Sequence, residues 1–84
     1  MSNITLYGAN WCPDCKRSRT LLDSLKIKYD YIDIDTDKVA ADTLVKLNNG
    51  MKKIPTIIFS DNSKIVEPSD QDLVAKLKEE KIYK

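Results

Sequence analysis

Apolar residues recur along this chain at two spacings, which predict strands and helices in alternation. Residues 4–7 and 29–34 are short runs rich in β-forming side chains, so each is predicted to be a strand. Residues 56–59 form a short apolar run that suits a buried central strand. Residues 64–67 follow the polar turn segment 60–63, and we expect them to form an antiparallel hairpin with the strand before it.

Three further segments show the spacing of three and four residues that is typical of amphipathic helices. The first helix is predicted from Pro13 to about residue 26, and the second from the caps at 35–37 to a stop at 48–50. The third starts in the polar segment 68–72, where Ser69 and Asp72 have capping-box spacing. The expected buried stripes are Leu21, Leu22 and Leu25; Val39, Ala40, Leu44, Leu47 and Met51; and Leu73, Val74 and Leu77.

The resulting order, β-α-β-α-β-β-α, predicts an α/β fold in which three helices flank a four-stranded mixed sheet. A right-handed crossover through the first helix makes the first two strands parallel, and the hairpin adds an antiparallel pair. The 84 residues are too few for two domains, so residues 1–84 are expected to form one domain. The charged stretch 78–84 is expected to fray.

Composition and charge narrow the possible functions. Charged residues make up 32% of the chain, yet the formal net charge is +1 because acids and bases are interleaved. No basic stripe indicates a nucleic-acid partner, and the longest wholly apolar run, residues 57–59, is too short for a membrane span. The first residues lack the features of an export signal, so a cytoplasmic protein is expected.

Two cysteines carry the candidate chemistry. Cys12 and Cys15 are the only cysteines of the chain, and two residues separate them. Cys12 is expected at the N-cap of the first helix and Pro13 at its first position. In a reducing compartment such a pair is more often catalytic or metal-binding than structural. Two sulfurs that can close a disulfide and reopen it at a helix N-terminus predict a redox switch.

Two motifs and the element order carry a resemblance to a known family. Residues 11–15 read Trp-Cys-Pro-Asp-Cys after the first strand, and residues 54–56 read Ile-Pro-Thr before the third. Over nearly its full length the chain resembles the glutaredoxin-like, in particular mycoredoxin-like, redoxins of the thioredoxin superfamily. The resemblance implies the minimal thioredoxin fold and a thiol–disulfide oxidoreductase. It also implies a cis bond between Ile54 and Pro55, packed beside the sulfurs.

The chain departs from the usual glutaredoxin pattern at three places. Glutaredoxins usually have a lysine shortly before the motif, where residues 8–11 have none. They often have tyrosine between the cysteines, where this chain has Asp14. Before the last helix they have Gly-Gly, then Ser or Cys and Asp, where residues 66–70 read Val-Glu-Pro-Ser-Asp. These departures argue against glutathione as the preferred thiol.

The resemblance and the helix N-terminus together assign roles to the two sulfurs. Cys12 is expected to be the attacking nucleophile, since a helix N-terminus favours a thiolate, and Cys15 to be the resolving thiol. Lys16 and Arg17 add positive potential if they reach back, whereas the Asp14 carboxylate acts against a thiolate, so the net effect is left open. Residues expected to bind substrate or thiol are Trp11, Pro13, Asp14, Lys53, Ile54, Pro55, Ser69 and Asp70.

Some of these assignments have a plain alternative. Lys53 either faces a carboxylate of the thiol or is a solvated loop residue, and Trp11 is either a platform beside the sulfur or a core residue. One CxxC pair supplies two metal ligands and the chain has no histidine, so zinc would need a second chain or carboxylates. No metal and no cofactor beyond the Cys12–Cys15 disulfide is therefore expected.

Three functions remain, and the first is preferred. It is a monomeric thiol–disulfide oxidoreductase that reduces protein disulfides or mixed disulfides with both cysteines, and its electron donor is left open between a low-molecular-weight thiol and thioredoxin reductase. The second is a thioredoxin-like reductase recharged by a flavoprotein thioredoxin reductase. The third is a dimeric carrier of a metal or of an iron–sulfur cluster, a role known among glutaredoxins.

Overall fold

The computed structural model describes residues 4–82 of the chain. The order of elements is the predicted one, and the last two residues of the stretch expected to fray lie outside the described range. The strands are β1 (Ile4–Gly8), β2 (Asp30–Asp33), β3 (Thr56–Phe59) and β4 (Lys64–Val66). The helices are α1 (Pro13–Ser24), α2 (Lys38–Leu47) and α3 (Asp70–Glu79).

The four strands form one mixed sheet in the order β2-β1-β3-β4. β1 and β2 run parallel on either side of the α1 crossover, while β3 is antiparallel to both β1 and β4. The predicted α/β class, with a four-stranded mixed sheet and three helices, is confirmed. Because β1 is an inner strand, the loop that carries the cysteines leaves from the middle of the sheet.

The main core fixes α1 and α3 against the sheet. Burial of an aliphatic or aromatic side chain stabilises the fold by about 1.5–3 kcal/mol, so this cluster sets where the N-terminus of α1 lies. The stripes predicted for α1 and α3 are confirmed at Leu22, Leu73 and Leu77, while Leu21, Leu25 and Val74 are only partly buried. The buried members are Ile4, Leu6, Leu22, Ile57, Phe59, Leu73 and Leu77.

Helix α1 ends at Ser24, two residues before the predicted position. The residue that terminates it is a lysine and not a glycine. Lys26 adopts the left-handed conformation, with φ of 58°. Its N–H donates to the Asp23 carbonyl at 3.0 Å, and the N–H of Ile27 donates to the Leu22 carbonyl at 3.0 Å. These two bonds define a Schellman motif, a termination that usually uses glycine and therefore left no clear signal in the sequence.

The stripe predicted for α2 is only partly correct. Ala40 and Leu44 are buried. Val39, Met51 and Leu47 are instead 75%, 54% and 38% exposed. The buried face of α2 continues four residues after Leu44 at Asn48, because this polar side chain has hydrogen-bond partners inside the fold.

No helix within residues 4–82 is long and apolar enough to cross a bilayer. Even the longest, α1, has 12 residues and carries several charged side chains.

Candidate active site

Cys12 occupies the N-cap of α1, as the sequence predicts. Its Sγ accepts a hydrogen bond from the backbone N–H of Cys15 at 3.2 Å, and Pro13 follows at the first helical position. The free N–H groups and the dipole at a helix N-terminus stabilise a negative charge that is placed there. Cys12 keeps 6% of its surface exposed, whereas Cys15 keeps none.

Cys15 lies one turn further along α1 and is completely buried. Burial raises the pKa of its thiol to about 12, and the hydrogen bond with Cys12 and the charges of Cys12 and Asp14 act in the same direction. The backbone of Ala9 opposes this rise. Cys15 is therefore held as a protonated thiol in the reduced protein.

This difference between the cysteines predicts selective alkylation. With excess iodoacetamide and a short reaction time at pH 8, we expect one modification per chain, on Cys12, because alkylation requires an accessible thiolate. Unfolding in urea exposes Cys15 and should give two modifications. Peptide mass spectrometry checks the assignment, and modification of Cys15 in the folded protein at a rate similar to Cys12 would contradict the account.

A second segment, residues 53–56, packs beside the two sulfurs. The Ile54–Pro55 peptide bond is cis, as the resemblance implies. Ile54 is partly buried against a small cluster of Ala9, Cys12 and Cys15. Pro55 is buried, and its carbonyl accepts a hydrogen bond from the N–H of Glu67 at 2.8 Å. Ile54 thus lies beside both cysteines, directly before the cis bond.

A chain of polar groups behind this segment was missed by the sequence analysis. The buried Thr56 hydroxyl donates to the Lys53 carbonyl at 2.7 Å and accepts from the Asn48 amide at 3.1 Å. The Lys64 ammonium donates to the Asn48 side-chain oxygen at 3.1 Å and to the Leu47 carbonyl. A threonine inside an apolar strand was the only signal in the sequence. This network holds the end of α2 and the segment before Pro55 in one arrangement.

Replacing Thr56 tests the network. Thr56→Val keeps the volume but leaves the Asn48 amide and the Lys53 carbonyl without their shared partner in a buried place. We expect a loss of about 1–3 kcal/mol in the free energy of unfolding, measured by urea denaturation. Thr56→Ser keeps the hydroxyl and is the matched control. Equal stability of the valine variant and the native protein would contradict a structural role for the network.

Trp11 lies beside Cys12 with its ring in solvent. Its side chain is 66% exposed, which excludes the core alternative. The indole N–H donates to the Asp35 carboxylate at 2.6 Å, and the neighbouring Asn10 amide oxygen accepts from the Tyr31 hydroxyl at 2.9 Å. These two bonds tie the loop before α1 to β2 and the turn after it, so the exposed ring has a fixed orientation.

On the other side of the motif, Arg17 joins α1 to the start of α3. Its guanidinium is 3.0 Å from Asp14 and 3.4 Å from Asp70, and it donates to the Pro68 carbonyl at 3.2 Å. Ser69 is the N-cap of α3, and its hydroxyl accepts from the N–H of Asp72 at 3.1 Å. Three residues predicted to bind substrate or thiol therefore have side-chain partners within the chain, namely Asp14, Ser69 and Asp70.

The structure places the remaining predicted residues as follows. Pro13 starts α1 beside Cys12. The side chain of Lys53 is exposed, and its backbone carbonyl accepts the hydrogen bond from Thr56.

An open groove of about 780 Å³ lies away from the cysteines, between the later turns of α1 and β2, and includes Arg19 and Tyr31. None of residues 11–15 lines it.

Within residues 4–82, no three side chains of His, Cys, Asp or Glu are placed to hold a metal ion. Cys12 and Cys15 are both free thiols in the structure.

The fold is shared with solved structures of a thioredoxin-like protein and a glutaredoxin. A crystal structure of a variant of the thioredoxin-like protein BC3987 matches with a TM-score of 0.79 at 20% identity, covering 93% of this chain and 97% of that one. The glutaredoxin of Methanosarcina mazei Go1 matches with a TM-score of 0.75 at 25% identity, covering 90% of this chain and 78% of that one.

Sequence similarity points to the same group of proteins. Mycoredoxin 1 of Corynebacterium glutamicum is 35% identical over 77 residues, which are 92% of this chain and 95% of that protein. The family model described as Glutaredoxin matches residues 4–64, a range that includes both cysteines and the cis-proline. The chain therefore belongs to the glutaredoxin family and is a thiol–disulfide oxidoreductase.

Proposed function

We propose that the protein reduces disulfides with both cysteines, Cys12 attacking and Cys15 resolving. The observation that carries this proposal is the contrast between the two sulfurs. Cys12 lies at a helix N-terminus with an N–H donor on its sulfur and some exposure, whereas Cys15 is buried and protonated one turn further on. The first arrangement suits a nucleophile, and the second suits a thiol that reacts only within the protein.

The reaction proceeds in two exchanges. The Cys12 thiolate attacks one sulfur of the substrate disulfide, whose S–S bond breaks, and the other substrate sulfur leaves as a thiolate that takes a proton. Cys15 then loses its proton and attacks Cys12 Sγ in the mixed disulfide, releasing the second substrate thiol. The substrate gains two electrons, and the protein is left with a Cys12–Cys15 disulfide.

Residues around Cys12 are suited to hold the substrate for these exchanges. Ile54 packs against both cysteines, and we assign to its backbone groups the pairing with an extended peptide or a thiol. Trp11 offers an apolar face in a fixed orientation. We assign substrate docking to these two residues and to the exposed Pro13, with the buried Pro55 supporting Ile54 from behind.

For recharging, we propose a low-molecular-weight thiol other than glutathione. Two molecules of such a thiol reduce the Cys12–Cys15 disulfide and leave as their own disulfide. Asp70 is the carboxylate that the resemblance assigns to thiol binding, but Arg17 already pairs with it. A thiol that relies on a free carboxylate at this place would have to displace Arg17.

A comparison of two recharging systems tests the proposal. Turnover of a model protein disulfide is measured with a small thiol and its reductase in one arm, and with thioredoxin reductase and NADPH in the other. A panel of small thiols that includes glutathione is used in the first arm, with Cys12→Ser as the inactive control. Turnover in the first arm, fastest with a thiol other than glutathione, supports the proposal. Turnover in the second arm alone would replace it with the thioredoxin-like function.

A further inference from the structure

The charges next to the CxxC motif form a group that the reaction scheme does not use. Asp14 lies between the two cysteines in the first turn of α1, and Asp70 begins α3. Arg17 contacts both carboxylates, and it donates to the Pro68 carbonyl just before α3. The Arg17 guanidinium thus forms ion pairs with two carboxylates from separate parts of the chain, and one of them, Asp14, belongs to the redox motif.

Asp14 acts on the sulfurs through its charge. A carboxylate in the first turn of α1 opposes the effect that the helix N-terminus has on a thiolate at Cys12. Its influence reaches the buried sulfur too, because the charge of Asp14 is among the causes that raise the pKa of Cys15. A cation held at 3.0 Å from this carboxylate reduces that opposition.

We propose that Arg17 is a positioning residue for the redox site, which fixes the Asp14 carboxylate and offsets its charge so that Cys12 remains an effective nucleophile near neutral pH. Its contacts with Asp70 and Pro68 hold the guanidinium at this place, since a long side chain with one partner on its own helix would be freer to move. Arg17 acts through Asp14 and is not itself a catalytic residue. The inference rests on the proposed role of Cys12 as the attacking thiol.

Other charged groups near the motif differ from Arg17 in their contacts. Lys16 precedes it on α1 with an exposed side chain, and Lys53 is exposed beside Ile54. From β2, Tyr31 lies within electrostatic reach of Cys15. Arg17 is distinguished by its direct contact with Asp14, so its effect on Cys12 should depend on that carboxylate.

A double-mutant cycle measures this dependence. The rate of iodoacetamide alkylation at Cys12 is followed from pH 4 to 10 for the native protein, Arg17→Gln, Asp14→Asn and the double variant. The readout is the pH midpoint of the rate. We expect Arg17→Gln to raise the midpoint by about 0.3–0.7 pH units and Asp14→Asn to lower it. In the Asp14→Asn background, Arg17→Gln should shift the midpoint by less than half as much.

Two further variants separate charge from structure. Lys16→Gln removes the same charge from the neighbouring position, and its effect should be smaller and equal in both backgrounds. Arg17→Lys keeps the charge and should restore most of the native midpoint. An unchanged midpoint in Arg17→Gln, or an equal shift with and without Asp14, would overturn the inference. Because alkylation needs no electron donor, normal labelling of Cys12 with no shift refutes only the role of Arg17, whereas absence of labelling refutes the proposed nucleophile.

Discussion

Cys12→Ser should abolish disulfide turnover without weakening the fold. A serine hydroxyl does not ionise near neutral pH and cannot replace the thiolate, so we expect turnover to fall to the uncatalysed level. The same side chain is a favoured N-cap, and its oxygen can accept the bond that Cys12 Sγ now receives from the N–H of Cys15. Stability should therefore be equal to that of the reduced native protein or slightly higher.

The two readouts must be taken on the same preparation. Turnover of a protein disulfide gives the activity, and urea denaturation under reducing conditions gives the free energy of unfolding. Loss of both activity and several kcal/mol of stability would mean that Cys12 is a structural residue. Full turnover in a folded Cys12→Ser protein would remove it from the mechanism.

Gly8→Val should damage both the fold and the resolving step. A Cβ built on Gly8 lies 3.1 Å from Cys15 Sγ and 3.1 Å from Leu6 Cδ2, and 3.2 Å from Cys15 Cβ. The leucine methyl can move aside, but Cys15 is held in α1 at the centre of the site. Valine adds two more methyl groups in this space, so we expect a destabilisation of about 1–3 kcal/mol from overpacking. For a chain of this size that corresponds to a fall in Tm of about 4–24 °C.

The functional part of this prediction is specific to Cys15. A displaced Cys15 sulfur should slow release from the mixed disulfide at Cys12, while the first attack by Cys12 is less affected. Stopped-flow measurement of the two steps separates them, and Gly8→Ala is the smaller matched change. Unaltered stability together with an unaltered resolving rate would show that the space beside Gly8 is larger than the structure indicates.

Local signals explain how far the sequence predicted the fold. The start of α1 was correct because Pro13 is a favoured residue type at the first helical position, independent of the rest of the chain, and this places Cys12 at the N-cap. The start of α3 at Ser69 followed in the same way. The cis bond before Pro55 was correct through the resemblance alone, because most bonds before proline are trans.

The predictions that failed depended on tertiary contacts. Val39 was assigned to a buried stripe by its spacing, but α2 turns Ala40 and Leu44 inward and continues the buried face with Asn48. Spacing alone does not show which polar residue will find a buried partner, and the partner of Asn48 is Thr56 on another element.

Tertiary contacts also limited what the sequence could predict about the active site. The sequence placed Arg17 one turn after Cys12 and left open whether it acts on the sulfur. Its contact with Asp70 requires α1 and α3 to lie side by side, which the element order does not specify. The network of charges around the motif could therefore be recognised only once both helices had been positioned.

The most direct test of the two-cysteine mechanism is the intact mass of Cys15→Ser after reaction with an excess of a protein disulfide. The account predicts a stable mixed disulfide between Cys12 and one substrate cysteine, because the thiol that would resolve it is missing. The native protein under the same conditions should show the loss of two hydrogens and no adduct. A Cys15→Ser protein that reduces the substrate as fast as the native protein, with no adduct, would contradict the assignment of Cys15 as the resolving thiol.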